Sequence, residues 1–280
     1  MPKSSKPVVS MTRLGRMGRF GNQIFQYAFL RIYAFRYNLH VETSEWVGQY
    51  LFGHRDGCGK KLPAFHEKKI TDRENIFNRP KPFVTNVDLR GYFQYHTKIY
   101  APYKKYFCSL FQPVPELKKI MSEAYGRLLS KRKTIVGLHI RRGDYVKYQH
   151  DSVYGKLYYI PPKEWYIDWL QSLWETLDDP ILFIASDELD AVLPDYKLFN
   201  PITSRDLLLK GLPQADYYLD HYILSHCDIL GISNSTFSFT ASMLNQTGRL
   251  FCRPDLKAAG LVTYDPWNSP VNLWNHLVGL

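Results

Sequence analysis

The sequence predicts an α/β protein whose two halves each carry a parallel sheet and face each other across a cleft. Three observations predict it. Short apolar runs of strand length alternate with longer segments of helical period, the order expected of a parallel sheet with helices on both faces. A polar connector, Ser130-Lys131-Arg132-Lys133, interrupts that alternation and divides the chain into domains 1–130 and 131–280. The 280 residues, 45% of them hydrophobic, supply enough material for two cores.

In the first half, Pro7–Thr12 reads as a strand that runs into a glycine-punctuated loop carrying Gly15, Gly18 and Gly21. Ile24–Tyr37 has apolar residues at helical spacing, and Leu39–Glu42 reads as a second strand. Residues 48–82 carry Gly, Pro and Lys clusters without a period. Val87–Gln94 reads as a strand leading into a loop, and Glu116–Leu129 as a helix. In the second half, Thr134–Ile140 is an apolar run fit for a buried strand, followed by a tyrosine-rich loop. Pro161-Pro162 opens a helix over Lys163–Leu177. Pro180–Ser186 is a strand, Asp216–Cys227 a helix, Asp228–Ser233 a strand, Ser235–Leu244 a helix and Arg249–Cys252 a last strand.

The formal net charge of +10 favours an anionic partner: a nucleic acid, an anionic membrane face or a nucleotide sugar. The 21 Tyr and 16 Phe suit a glycan- or base-binding cleft and equally suit ordinary aromatic packing. The four cysteines are dispersed and form no C-x-x-C, so neither a zinc site nor a disulfide framework is expected, and a reducing compartment fits. The polar N-terminus has no apolar signal region, and no run is long enough to cross a membrane, so a cytoplasmic location is expected.

The segment His139-Ile140-Arg141-Arg142-Gly143-Asp144 holds most of the chemical information. It places two guanidiniums where a strand ends, the region in which open α/β sheets bind ligands. A guanidinium fork matches a phosphate bidentately, so a diphosphate clamp is one reading. A basic turn in which Asp144 pairs an arginine is the other. Ser233-Asn234-Ser235-Thr236-Phe237-Ser238 lies where a strand gives way to a helix, and its hydroxyls and free N–H groups suit an anion or a simple N-cap. Asp187, after Pro180–Ser186, could accept from the N1–H and amine of guanine, or could cap the next helix. Asn22 and Gln23 could bond a sugar or phosphate, or cap theirs. No D-x-D pair occurs to hold a divalent ion on a diphosphate, and arginine could do that electrostatic work instead. No local pair of carboxylates marks a glycosidase.

Together these segments resemble the α-1,2-fucosyltransferases that use GDP-fucose. Five motifs carry the likeness in the family's order: Gly15–Ala28, Gly91-Tyr92-Phe93-Gln94, His139–Tyr145, Ser186-Asp187, and Asp228–Ala241. The resemblance implies a GT-B-like architecture of two Rossmann-like domains, an acceptor-side domain followed by a donor-binding domain. It implies inverting transfer of L-fucose to a galactose 2-hydroxyl of a glycan, without metal and without a cofactor beyond the donor. It also implies roles. Arg141 would hold the β-phosphate, His139 and Asp187 would lie near the guanosine, Ser235 and Thr236 would cradle the diphosphate, and Asn22 would face the reacting sugar. Arg142, Asn234, Phe237 and Gln23 complete the substrate-binding set, and Asp144 is the candidate base or an orienting partner for arginine. In this chain Phe239-Thr240 stands where the family has two tryptophans, a departure that bears on acceptor choice and packing. A lipid-linked acceptor would bring the protein to a membrane surface. The rival readings are transfer of another GDP-sugar and non-enzymatic binding of a nucleotide or polyanion; no nucleic-acid motif supports the last.

Overall fold

Two parallel-dominated sheets organise the computed structural model, which describes residues 6–58, 61–131, 133–151, 154–207 and 212–273. The chain divides into two compact units, 1–114 and 115–280.

In the first unit the elements are β1 (Val8–Met11), α1 (Phe20–Tyr37), β2 (His40–Thr43), α2 (Val47–Phe52), β3 (Gly57–Cys58), β4 (Ala64–His66), β5 (Val87–Arg90) and α3 (Lys104–Ser109). The strands run in the order β3-β2-β1-β5-β4, all parallel, with Val9 opposite both Val41 and Val87. Because β2 and β5 lie on opposite sides of β1, the sheet switches direction there, and the loops after β1 and β5 flank the switch point. Helix α1 starts at Phe20, four residues before the sequence suggests. Gly18, at φ +76°, makes the left-handed turn that ends the loop, which frees Gly21 to be helical and buried. A Cβ on Gly18 would come within 2.5 Å of Asn22 Nδ2, so only glycine fits. The helix is buried on nearly every face, and Asn38 closes it in the left-handed conformation with its N–H on Ala34 O. The segment 48–82 is less patternless than expected, since α2, β3 and β4 fall in it.

The second unit holds α4 (Pro115–Leu129), β6 (Thr134–Ile140), α5 (Gly143–Tyr148), α6 (Tyr154–Leu157), α7 (Lys163–Trp174), β7 (Pro180–Ser186), α8 (Leu189–Val192), α9 (Tyr218–Leu224), β8 (Ile229–Gly231), α10 (Thr236–Leu244), β9 (Leu250–Asp255) and β10 (Gly260–Thr263). The order is β10-β9-β8-β6-β7, parallel except for the terminal β9–β10 hairpin, which the sequence does not announce. All seven residues of β6 are buried, as a central parallel strand covered on both faces requires. Val136, Leu138 and Ile140 pack with Leu182 and Ile184 of β7 and with Tyr166, Trp169 and Leu170 of α7. Each such aliphatic side chain contributes roughly 1.5–3 kcal/mol on burial.

The boundary lies at 114/115, not at the polar connector 130–133. Helix α4 belongs to the second unit because its inner face is committed there. Leu117, Met121 and Leu128 are buried, Tyr125 Oη donates to His226 O at 2.8 Å, and Arg127 Nη1 donates to Leu207 O at 3.2 Å. The polar connector falls inside the second unit, and its residue 132 lies outside the described residues. Among the described residues no helix is long and apolar enough to cross a membrane, and Cys108, Cys227 and Cys252 are buried and form no disulfide.

Candidate active site

The register between β6 and β7 builds the site. His139 pairs with Ala185 and Ile140 with Ser186, so Arg141 and Arg142 leave one strand beside Asp187 leaving the next. The Asp187 carboxylate takes both: Oδ1 accepts from the Arg142 backbone N–H at 3.0 Å, and Oδ2 accepts from Arg141 Nη1. Gly143 turns the chain at φ +28°, and a Cβ on it would collide with Asp187 Oδ2. Helix α5 then carries Asp144 back so that its Oδ1 accepts from Arg141 Nη2, an i,i+3 ion pair. Tyr145 completes the mounting. Its ring lies under the Arg141 guanidinium, 5.2 Å from Cζ to centroid, and its hydroxyl donates to Asn234 O at 3.0 Å.

Arg141 is therefore fixed on three sides, with its side chain only 11% exposed. Among the described residues, two of the five guanidinium N–H groups are engaged by carboxylates. Asp144 takes the orienting contact with Arg141. Arg142 does not pair with Asp144; its Nε donates to Glu188 Oε2 at 3.0 Å. Asp187 does not cap a helix, since the N-cap position of α8 is Glu188.

His139 is buried one residue pair inside the strand end. Its Nδ1 lies 2.8 Å from both Ser233 Oγ and Ser238 Oγ, which places β8 and α10 against β6. Burial, with Arg141 and then His221 adding to it, pushes the imidazole pKa down to about 3, so the ring is neutral. Phe237 covers it at 5.2 Å between centroids. Ser235 is the N-cap of α10, its Oγ accepting from Phe237 N at 3.3 Å, and Thr236 is the first helical residue. Asn234 has a local duty: its Nδ2 donates to Leu157 O at 3.0 Å and its Oδ1 accepts from Leu273 N at 3.2 Å. The β6 and β8 strand ends thus meet at this sheet's own switch point, with a helix N-terminus, two serines, a neutral histidine and a held arginine.

Asn22 and Gln23 lie in the first unit, on the first turn of α1. Asn22 Oδ1 accepts from Gln94 Nε2 at 2.6 Å, and Gln23 Nε2 donates to Gly18 O at 3.3 Å. Neither is the helix cap, a position held by Arg19.

The sequence reading passed over Asp220. It sits in the first turn of α9, the helix whose His221 Nε2 lies 3.1 Å from Thr240 Oγ1 and whose His221 ring meets Phe237 edge-on at 5.2 Å. The Asp220 Oδ1 atom is sealed from solvent and has no hydrogen-bond partner among the described residues. Burial pushes the carboxyl up to about 7, and Asp216 adds to this, while Ser204 and Arg205 pull it down. The available signal was an acidic residue inside the apolar run Tyr217-Tyr218-Leu219-Asp220-His221-Tyr222-Ile223-Leu224.

The model of glycosyl transferase family 11 matches residues 91–253, a span holding every residue of the second-unit site. The O-antigen biosynthesis glycosyltransferase WbnK of Escherichia coli is 25% identical over 166 residues, covering 56% of this chain and 50% of its own. The chain therefore spans about half the length of this curated relative. Among solved structures, NodZ alpha-1,6-fucosyltransferase soaked with GDP-fucose superposes with a TM-score of 0.59 at 14% identity, covering 93% of this chain and 99% of that one. NodZ comes from Bradyrhizobium. A mutant of FUT1 from Arabidopsis thaliana in complex with GDP gives a TM-score of 0.60 at 12% identity, over 94% and 74% of the two chains. At these identities the likeness is one of fold.

Proposed function

This chain belongs to glycosyl transferase family 11, and on that premise we propose that it transfers L-fucose from GDP-fucose to a galactose 2-hydroxyl of a glycan, with inversion and without a metal ion. The observation that carries the reading is Arg141, held by Asp144 and Asp187 at the end of β6 beside the N-terminus of α10.

The chemistry follows from that mounting. Transfer leaves charge on the β-phosphate of GDP, and a preorganised guanidinium and helix N–H groups stabilise it without reorganising. Arg141 supplies the charge, while Ser235 and Thr236 supply the helix terminus and hydroxyls. The sequence offers no D-x-D pair for a divalent ion, so these groups carry the leaving-group charge. The Asp144 carboxylate orients Arg141 and is not the base in this reading. Within the donor site, His139 supports the nucleoside from a neutral ring. Asp187 orients the fork in this reading, because both of its oxygens are engaged by Arg141 and Arg142.

The test is direct: purified protein is titrated calorimetrically with GDP and then screened against GDP-fucose, GDP-mannose and galactose-terminated acceptors by mass spectrometry. GDP binding with a gain of one deoxyhexose mass on a galactoside, and linkage to O2 by NMR, is the expected result. Failure to bind GDP refutes the reading; transfer of mannose alone assigns the site to another GDP-sugar.

A further inference from the structure

We propose that the loops after β1 and β5 form a platform for an anionic galactoside, in which Tyr92 stacks on the sugar and Arg13 and Arg16 bind its acidic group. The proposal rests on the transferase function above and names the class of acceptor.

The two loops are stapled at the first sheet's switch point. Gln26 Nε2 donates to Met17 O and to Gly91 O, both at 3.1 Å, so one buried side chain fastens loop to loop. Asn22 and Gln94 add a second tie at 2.6 Å. The β5 loop is held further by Glu67, whose Oε2 accepts from Tyr92 N at 2.7 Å, and by the absence of a side chain at Gly91, where a Cβ would collide with Glu67.

This loop contains backbone strain with a visible result. Phe93 has φ +53°, a conformation that costs a bulky residue of order 1–3 kcal/mol and persists only where the surroundings impose it. Here Phe93 is wholly buried, stacked on Phe29 at 4.1 Å, and the turn it makes leaves the preceding Tyr92 outside. Tyr92 is 44% exposed in a chain whose other tyrosines of this unit mostly pack inward. Its ring meets no other aromatic ring among the described residues, and only its backbone N–H is bonded. A rigidly mounted, outward aromatic face at the ligand-binding end of a sheet is the surface that the apolar face of a pyranose stacks on.

The β1 loop contributes charge. Arg13 and Arg16 are both exposed, and neither meets an acidic side chain among the described residues. Arg16 N–H donates to Arg13 O at 3.0 Å, and Gly15, at φ +82°, folds the turn between them. A Cβ on Gly15 would lie 2.6 Å from Glu45 O, so the turn is seated against the unit and its arginines are presented from a fixed base. Two guanidiniums without an acidic partner among the described residues, on a loop that Gln26 ties to Gly91, select a sugar that carries a phosphate or carboxylate over a neutral one.

Saturation-transfer NMR on the full chain, with galactose 1-phosphate and methyl β-galactoside as probes, tests this. The phosphorylated sugar is expected to bind about tenfold tighter, the scale of two exposed ion pairs, with the preference eroded by 0.5 M NaCl. Tyr92→Ala is expected to weaken both sugars about tenfold and Tyr92→Phe to restore both, since stacking needs the ring and not the hydroxyl. The double variant Arg13→Gln/Arg16→Gln is expected to bring the two sugars to parity. Equal binding of both sugars by the unmodified protein, or wild-type binding by Tyr92→Ala, overturns the proposal. Arginine-dependent sedimentation with phosphatidylglycerol vesicles, without preference for galactose 1-phosphate, assigns the arginines to a membrane surface and also overturns it. GDP titration of each variant is read separately: loss of GDP binding by the unmodified protein defeats the donor reading, while the sugar titrations still decide the platform.

Discussion

Gly143 and Asp187 share one space: a side chain at 143 would occupy the position of Asp187 Oδ2, so the turn after β6 and the carboxylate after β7 exist only together. Gly143→Ala is therefore expected to displace the carboxylate that holds Arg141 and to strain a backbone at φ +28°. Activity should fall by roughly 10²–10³, the scale of losing a preorganised charge donor. Chemical denaturation should show a stability loss of about 1–3 kcal/mol. An alanine variant with wild-type turnover would show that the Asp187 contact does not set the position of Arg141.

Arg141→Lys tests the fork. One ammonium cannot bridge Asp144 and Asp187 while also meeting a phosphate in a planar, bidentate way. Turnover is expected to drop by about 10²–10³ with GDP affinity reduced and the fold intact by circular dichroism. Full activity in the lysine variant would remove the clamp from the mechanism.

Asp144→Asn separates orienter from base. The Asp144–Arg141 ion pair makes it an orienter, so both GDP affinity and kcat should fall in the asparagine variant. A fall in kcat at unchanged GDP affinity, measured by calorimetry beside steady-state kinetics, would restore Asp144 as the general base.

Asp220 gives a pH signature. Its folded-state pKa of about 7 lies above the ordinary carboxylate value, so the protonated form is the stabilising one. That stability is full below about pH 4 and is lost as pH rises through about 7. Asp220→Asn should then raise the melting temperature at pH 8 and leave it nearly unchanged at pH 4. Thermal unfolding at the two pH values checks this; a variant with the wild-type melting temperature at pH 8 would remove Asp220 from the pH dependence.

Activity is expected to persist in excess EDTA, because the proposed leaving-group charge rests on Arg141 and the α10 terminus. Complete loss restored by Mg²⁺ or Mn²⁺ would require a metal in the mechanism.

The sequence by itself determined the α/β class, the strands β1, β6, β7 and β8, and the motif residues that end them. These were legible because short apolar runs bounded by glycine, arginine or serine have few other uses. His139, Arg141, Asp144, Asp187 and Ser235 could all be named from it. Apart from the pairing of Asp144 with an arginine, their partners could not. Whether Asp187 meets guanine, a helix end or Arg141 depends on strand register, which pairs residues 46 positions apart and leaves no local mark. The allegiance of α4 was likewise hidden, because the polar run 130–133 looks like a linker until Tyr125 and Arg127 find their acceptors across the second unit. Asp220 carries no motif, and the Gly91–Gln94 motif that holds Tyr92 does not mark its ring as outward. One stands out through a buried oxygen with no partner among the described residues, the other through a strained neighbour that turns it outward, and tertiary packing alone decides both.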